Sequence, residues 1–125
     1  MSSRCVEEGL ILYWVPTCST CSKAVAFLQQ NGLRIEKRVD LKTARLDQNR
    51  LRDLARKAGS VELLFSRRSF QFRNMRLHGQ RLSDKDLVDL MACEYSLIKR
   101  PIVELSGQAI VGWNFRAYAK LVGLS

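Results

Sequence analysis

Histidine is almost missing from this chain of 125 residues, with His78 the only one. A Ser-His-Asp or Cys-His catalytic system would have to use it, and nothing in the sequence brings it to a nucleophile. Cysteine is sparse: Cys5, Cys18, Cys21 and Cys93, of which only Cys18 and Cys21 form a local pair. A structural zinc site needs two pairs, or one pair with spaced histidines, so we expect no metal. No apolar run approaches the roughly 20 residues of a membrane span. Met1 to Glu8 carries one Arg, two Glu and no apolar block, so we expect no secretory leader. That sets the expectation of a cytoplasmic protein with mostly reduced thiols and no membrane partner. Repeats, linkers and low-complexity tracts are also missing, which favours one domain over residues 1–125.

What is present is ordinary for a globular chain: 46% apolar and 26% charged residues. The net charge of +9 favours acidic partners such as nucleic acid, an acidic protein surface or an oxyanion, but it is equally compatible with plain solubility.

Leu10-Ile11-Leu12-Tyr13-Trp14-Val15 is a short apolar run rich in strand formers and stopped by Pro16, so it predicts a strand buried on both faces. A helix follows the dithiol Cys18-Ser19-Thr20-Cys21, carried by Ala24, Val25 and Leu28 and stopped at Asn31-Gly32. Leu33 to Val39 alternates as a second strand, with Lys37 breaking the pattern. Strand, helix and strand this close imply parallel pairing. Asp47 is placed to cap a helix through Leu51, Leu54, Ala55 and Ala58, ended by Gly59. Between Val61 and Arg81, the residues Leu63, Leu64, Phe65, Phe70 and Phe72 predict short helical pieces packed on a core. Ser83-Asp84-Lys85-Asp86 reads as a capping box opening a helix through Leu87, Leu90 and Met91, on which Cys93 is expected to pack inward. Ile102–Leu105 and Ala109–Val111 flank the turn Ser106-Gly107-Gln108, a hairpin signal. Asn114 is placed to cap a last helix through Phe115, Tyr118, Ala119 and Val122. The order β-α-β, helical insert (about 44–98), β-β-α is an α/β pattern: a mixed sheet flanked by helices.

The chemistry concentrates in the dithiol. A Cys in the first turn of a helix meets unpaired amides and the positive end of the helix dipole, which favour thiolate. Lys23 adds a cation one turn on. Cys18 is the more exposed sulfur and the expected nucleophile. Cys21 lies within a disulfide's reach and would resolve a mixed disulfide at Cys18. Two small buried residues that merely sit close together is the competing reading. From Leu63 to Ser83 there is no acid, while Arg67, Arg68, Arg73, Arg76 and Arg81 alternate with Phe70 and Phe72. This stretch reads as solvated arginines over core phenylalanines, as anion or thiolate support, or as a stacking surface for nucleic acid. Without a helix-turn-helix or zinc-finger signature, we expect no direct base reading.

At this point the chain resembles the arsenate reductase (ArsC) and Spx group of the thioredoxin superfamily, from Leu10 to about Gly123. The resemblance rests on Pro16-x-Cys18-x-x-Cys21-x-Lys23, on Gly59 followed eight residues later by Arg67, on Leu97-Ile98-Lys99-Arg100-Pro101-Ile102-Val103, and on Val111-Gly112-Trp113 before the last helix. It implies a thioredoxin-like core with a helical insert and a cis bond before Pro101. It also implies a monomer that binds no cofactor and draws electrons from glutathione, glutaredoxin or thioredoxin. In the arsenate reductases three arginines hold the oxyanion. Arg67 and Arg100 match two of them, and no Arg stands near Val111-Gly112 for the third. That group also usually has one Cys in this turn, so the dithiol and the Val-Gly-aromatic ending are closer to Spx. Spx-type proteins bind the C-terminal domain of the RNA polymerase α subunit and use the dithiol as a redox switch. Gly59 matches by spacing a Gly that contributes to that contact, but the residues around it favour the plainer reading of a helix C-cap. The sequence thus carries two readings. One is a thiol-dependent oxidoreductase with site residues Cys18, Cys21, Arg67, Arg100 and Pro101. The other is a redox-sensing transcriptional regulator.

Overall fold

The computed structural model describes residues 9–121. Cys5, Val122 and Gly123 lie outside them. The chain divides into two compact units: one joins the stretch up to Asp40 to the stretch from Arg100 onward, and the other is Leu41–Lys99.

The first unit holds a four-stranded sheet in the order β2-β1-β3-β4. β1 (Leu10–Trp14) lies parallel to β2 (Ile35–Asp40) and antiparallel to β3 (Ile102–Leu105), which pairs antiparallel with β4 (Gln108–Val111). The β1–β2 register slips between Leu10, opposite Ile35, and Ile11, opposite Lys37. This irregularity is the physical source of the break in alternation at Lys37. α1 (Ser19–Gln30) and α5 (Phe115–Leu121) meet the sheet through a core of Leu10, Leu12, Ala24, Leu28, Val103, Leu105 and Tyr118. Asn114 starts α5 by accepting the Ala117 N–H at 3.1 Å. The β3–β4 turn is one residue shorter than the sequence suggests: Ser106 and Gly107 alone connect the strands, both with positive φ (52° and 80°). That is the conformation in which a two-residue turn follows the strand twist.

The second unit is helical. Asp47 caps α2 (Gln48–Ala58) by accepting the Arg50 N–H at 2.8 Å, and Gly59 closes it at φ 125°. A short α3 (Phe70–Asn74) follows. Ser83 opens α4 (Asp84–Cys93) with a complete capping box, Asp86 in the acidic position. Backbone hydrogen bonds from Ser66 to Leu97 and from Lys99 to Leu64, both 2.7 Å, tie the middle of this unit to its end.

Two packing expectations are overturned. Cys93 is exposed, not a core residue. α4 buries Leu87, Val88 and Met91, and a residue two beyond Met91 falls about 200° round the helix, on the opposite side. Phe70 is 71% exposed and Leu63 46% exposed. Phe70 and Phe72 stand two apart on a five-residue helix, so only one can point inward. Phe72 does, edge-to-face with Phe65 at 5.9 Å.

Candidate redox site

The site forms where β1 runs out. Val15 is buried, Pro16 and Thr17 turn the chain, and the Cys18 N–H returns to the Val15 carbonyl at 2.9 Å. Cys18 is the N-cap of α1, with an extended backbone (φ −83°, ψ 121°). Its carbonyl takes the Ser22 N–H at 3.2 Å, and its side chain stands at the end of the helix where amides lack intrahelical partners. Cys18 is half-buried and Cys21 fully buried, facing inward with Ala24 and Leu28. Both are free thiols.

The pKa values of the two thiols are shifted in opposite directions. At Cys18 burial is the largest single influence and opposes ionisation. It is outweighed by hydrogen bonds from the Thr20 hydroxyl and from the Cys21 thiol and amide, with the Arg100 charge behind them, so the thiol ionises below its ordinary range. The Thr20 oxygen is 3.0 Å from the Cys18 sulfur, and it is the donor when Cys18 is ionised. At Cys21 burial dominates. The Val15 backbone opposes it and Cys18 adds to it, and the thiol is pushed up to about 12.

Arg100 and Pro101 belong to the same unit as the dithiol, and the bond between them is cis. The Pro101 carbonyl accepts the Gly112 N–H at 2.7 Å, and the Gly112 carbonyl accepts the Tyr118 hydroxyl at 3.2 Å. The loop carrying Pro101 is thereby tied to the turn after β4 and to α5. Tyr118 is fully buried, and burial followed by the Cys21 charge raises its hydroxyl pKa. Lys23 is solvent-exposed, and the charge acting on Cys18 is that of Arg100. Arg67 belongs to the other unit, where its guanidinium pairs with Glu62 at 2.7 Å and lies over the rings of Phe65 and Phe72.

Thr20 and Tyr118 were not singled out by the sequence as site residues. Thr20 had a readable signal, a hydroxyl two residues after an N-cap sulfur. Tyr118 had none, because only the fold turns α5 toward α1. Among the described residues no three or more His, Cys, Asp or Glu side chains gather where they could hold a metal ion. No helix among them is long and apolar enough to cross a membrane.

The pattern of the ArsC family matches residues 13–121. The chain belongs to the ArsC family. Its relatives include the global transcriptional regulator Spx of Lactiplantibacillus plantarum, 30% identical over 84% of this chain and 80% of that protein. They also include the uncharacterized protein YusI of Bacillus subtilis, 27% identical over 85% and 92%. Among solved structures the YffB protein superposes with a TM-score of 0.82 at 27% identity, covering 91% of this chain and 99% of that one. The arsenate reductase from Vibrio cholerae superposes with a TM-score of 0.75, also at 27% identity, covering 94% and 98%. The fold is thus the thioredoxin-like mixed sheet of ArsC-family proteins. Within this ArsC frame, the turn after β4 carries Gly112 at φ 78° where the third oxyanion arginine would be sought.

Proposed function

We propose that this ArsC-family protein is a thiol–disulfide redox protein in which Cys18 attacks and Cys21 resolves. The Cys18 thiolate attacks one sulfur of a substrate disulfide. A mixed disulfide forms at Cys18, and the other substrate sulfur leaves as a thiolate. Cys21 then loses its proton and attacks the Cys18 sulfur, which forms the Cys18–Cys21 disulfide and releases the second substrate thiol. Two electrons from a thiol donor (glutathione, glutaredoxin or thioredoxin) return the pair to the dithiol. Arg100 stabilises the Cys18 thiolate and Pro101 shapes the wall beside it. No resident cofactor enters this scheme, which would run in the cytoplasm on a monomeric protein.

The observation that carries the reading is the asymmetry of the pair: a half-buried sulfur whose pKa is lowered beside a fully buried one whose pKa is raised. Redox titration with mass mapping of the paired cysteines tests it. Formation of a reversible Cys18–Cys21 disulfide is expected, and oxidation elsewhere with this pair left reduced would refute it.

The likeness to Spx regulators favours a second reading, in which the same disulfide switches a surface that binds the RNA polymerase α subunit. Turnover of a disulfide or of arsenate with a thiol donor supports the enzyme. Capture of the polymerase α C-terminal domain, lost in Gly59→Arg but kept in Gly59→Ala, supports the regulator.

A further inference from the structure

Within Leu41–Lys99 lies a cavity of about 380 Å³ lined by Arg67, Phe72, Arg73 and His78. Its volume is in the range that holds small organic ligands. Its walls are made by a short helix and the turn that follows it. α3 presents Phe72 and Arg73, and the chain then folds back on it. The Met75 N–H bonds the Gln71 carbonyl at 2.8 Å, the Arg76 N–H bonds that of Arg73 at 3.0 Å, and the Leu77 N–H bonds that of Phe72 at 3.1 Å. This reversal requires Arg76 at φ 58°, a left-handed conformation that a non-glycine residue rarely adopts. It is held from both sides. Leu77 is buried, and the Gln80 side chain donates to the Arg76 carbonyl at 2.7 Å. The outcome is that His78, one residue past the buried Leu77, lines the same cavity as Phe72 and Arg73.

Arg67 supplies the remaining wall. Its guanidinium lies over Phe65 at 5.5 Å and Phe72 at 5.6 Å, and Glu62 holds one edge at 2.7 Å. Arg67 is nevertheless 46% exposed at the side chain, so the layered stack keeps an open surface. Neither Arg73 nor His78 has an ion-pair partner among the described residues. No acid occurs between Leu63 and Ser83, and Glu62 is the carboxylate that borders the cavity through Arg67. Glu62 offsets the charge of Arg67 alone, and Arg73 is left without a carboxylate among the described residues, so an anion meets net positive charge here. Guanidinium groups bind phosphate and carboxylate oxygens in pairs, and their flat faces accept a stacked ring.

We propose that Arg67, Phe72, Arg73 and His78 form a binding site for a small anion carried on a flat ring, an aryl phosphate or an aryl carboxylate. The charged oxygens meet Arg73 and His78, and the ring lies against the exposed surface of Arg67, which Phe72 backs from beneath. Glu62 sets a negative charge beside the site, so it weakens the binding of an anion.

Calorimetric titration of the full chain at low salt tests this with phenyl phosphate, benzoate and inorganic phosphate as probes. At least one ringed anion is expected to bind saturably, and about tenfold more tightly than inorganic phosphate, which has no ring to stack. A tighter phenyl phosphate assigns a phosphate site, and a tighter benzoate a carboxylate site. Replacing Arg73 and His78 together by Ala is expected to cost about tenfold or more, through the lost charge-assisted contact of Arg73 and the lost hydrogen bond of His78. Both side chains are exposed, so their loss leaves the core intact. Glu62→Gln is expected to tighten binding about two- to fivefold, the scale of an exposed ion pair. The Cys18→Ser/Cys21→Ser protein should bind as the parent does, which separates this site from the redox reading. Absence of saturable binding by either ringed anion, or binding that survives the Arg73/His78 replacement unchanged, would overturn the proposal.

Discussion

The start of α1 and the Arg67–His78 cavity both gather polar groups on a small surface, but the two are built in different ways. At α1 the gathering follows from regular structure. A buried strand ends, a helix begins, and the sulfur at the N-cap meets donors that any helix start leaves over. At the cavity it depends on one left-handed residue, Arg76, held by a buried leucine and a glutamine side chain. The first arrangement is undone at the sulfurs and only tuned by their neighbours Thr20 and Arg100. The second can be taken apart from outside its own lining. Substitutions that separate the two kinds of construction test the difference.

The largest effect is expected at the sulfurs. Cys18→Ser should reduce thiol–disulfide exchange to background, whereas Cys21→Ser should keep the first step and accumulate a mixed disulfide at Cys18, seen as an added mass. The pH dependence should split the same way. The Cys18 pKa lies below the ordinary thiol value, so its alkylation should persist at pH values where a free cysteine has slowed, and fall only as acid protonates it. Cys21 is pushed up to about 12, chiefly by burial with Cys18 adding to it, and since burial persists in the Cys18→Ser protein its alkylation there should still be slow at pH 8. Equal alkylation profiles for the two sulfurs would remove the asymmetry on which the redox reading stands.

Next in size is Leu77→Ala. It empties a buried position and removes the anchor that holds the Arg76 turn, at an expected cost of about 2–4 kcal/mol in chemical denaturation. The comparison predicts loss of ring-anion binding with Cys18 alkylation preserved under folding conditions. If Cys18 reactivity falls in parallel, the two sites are not independent in the way their construction suggests.

Gly59 gives a smaller and sharper test. At φ 125° any side chain strains the backbone, and a Cβ there would lie 3.4 Å from a Leu63 methyl. Gly59→Ala and Gly59→Arg should therefore both lose about 1–2 kcal/mol. Only a loss of polymerase binding confined to the arginine variant would speak for a docking role. Equal losses in both leave Gly59 a helix cap.

This contrast also governs how much could be read in advance. Strand β1, helix α1 and the dithiol at their junction were legible because periodicity and capping are local signals. The Asp47 cap, the Ser83–Asp86 capping box and the β3–β4 hairpin were legible for the same reason. The ArsC likeness carried Pro101 to its cis bond. The stretch from Val61 to Arg81 was not legible in the same way. It is built from a five-residue helix and a left-handed turn, so two-residue spacings there decide which aromatic goes inside. Phe72 was rightly read as core and Phe70 wrongly, and no pattern distinguished them. Cys93 was misread because its helix neighbours Leu90 and Met91 suggested an inward face. Arg67 was noticed for its spacing from Gly59, but its stacking on Phe65 and Phe72 comes from the fold.

Thr20→Ala is the finest probe. Thr20 is exposed, so its removal takes little from packing and isolates one hydrogen bond. Its hydroxyl lies 3.0 Å from the Cys18 sulfur and donates only when that sulfur accepts, so the bond favours the thiolate. Losing it raises the Cys18 pKa. Below that pKa a smaller fraction is ionised at any fixed pH, so alkylation should slow. The bond is partly solvated and water replaces some of it, which limits the expected effect to about three- to tenfold on the acid side of the Cys18 pKa. Well above the pKa both proteins are fully ionised and the difference should vanish. Thr20→Ser should restore the parent profile, since it returns the hydroxyl. A rate reduced equally at every pH would mean that Thr20 shapes access to the sulfur and not its charge.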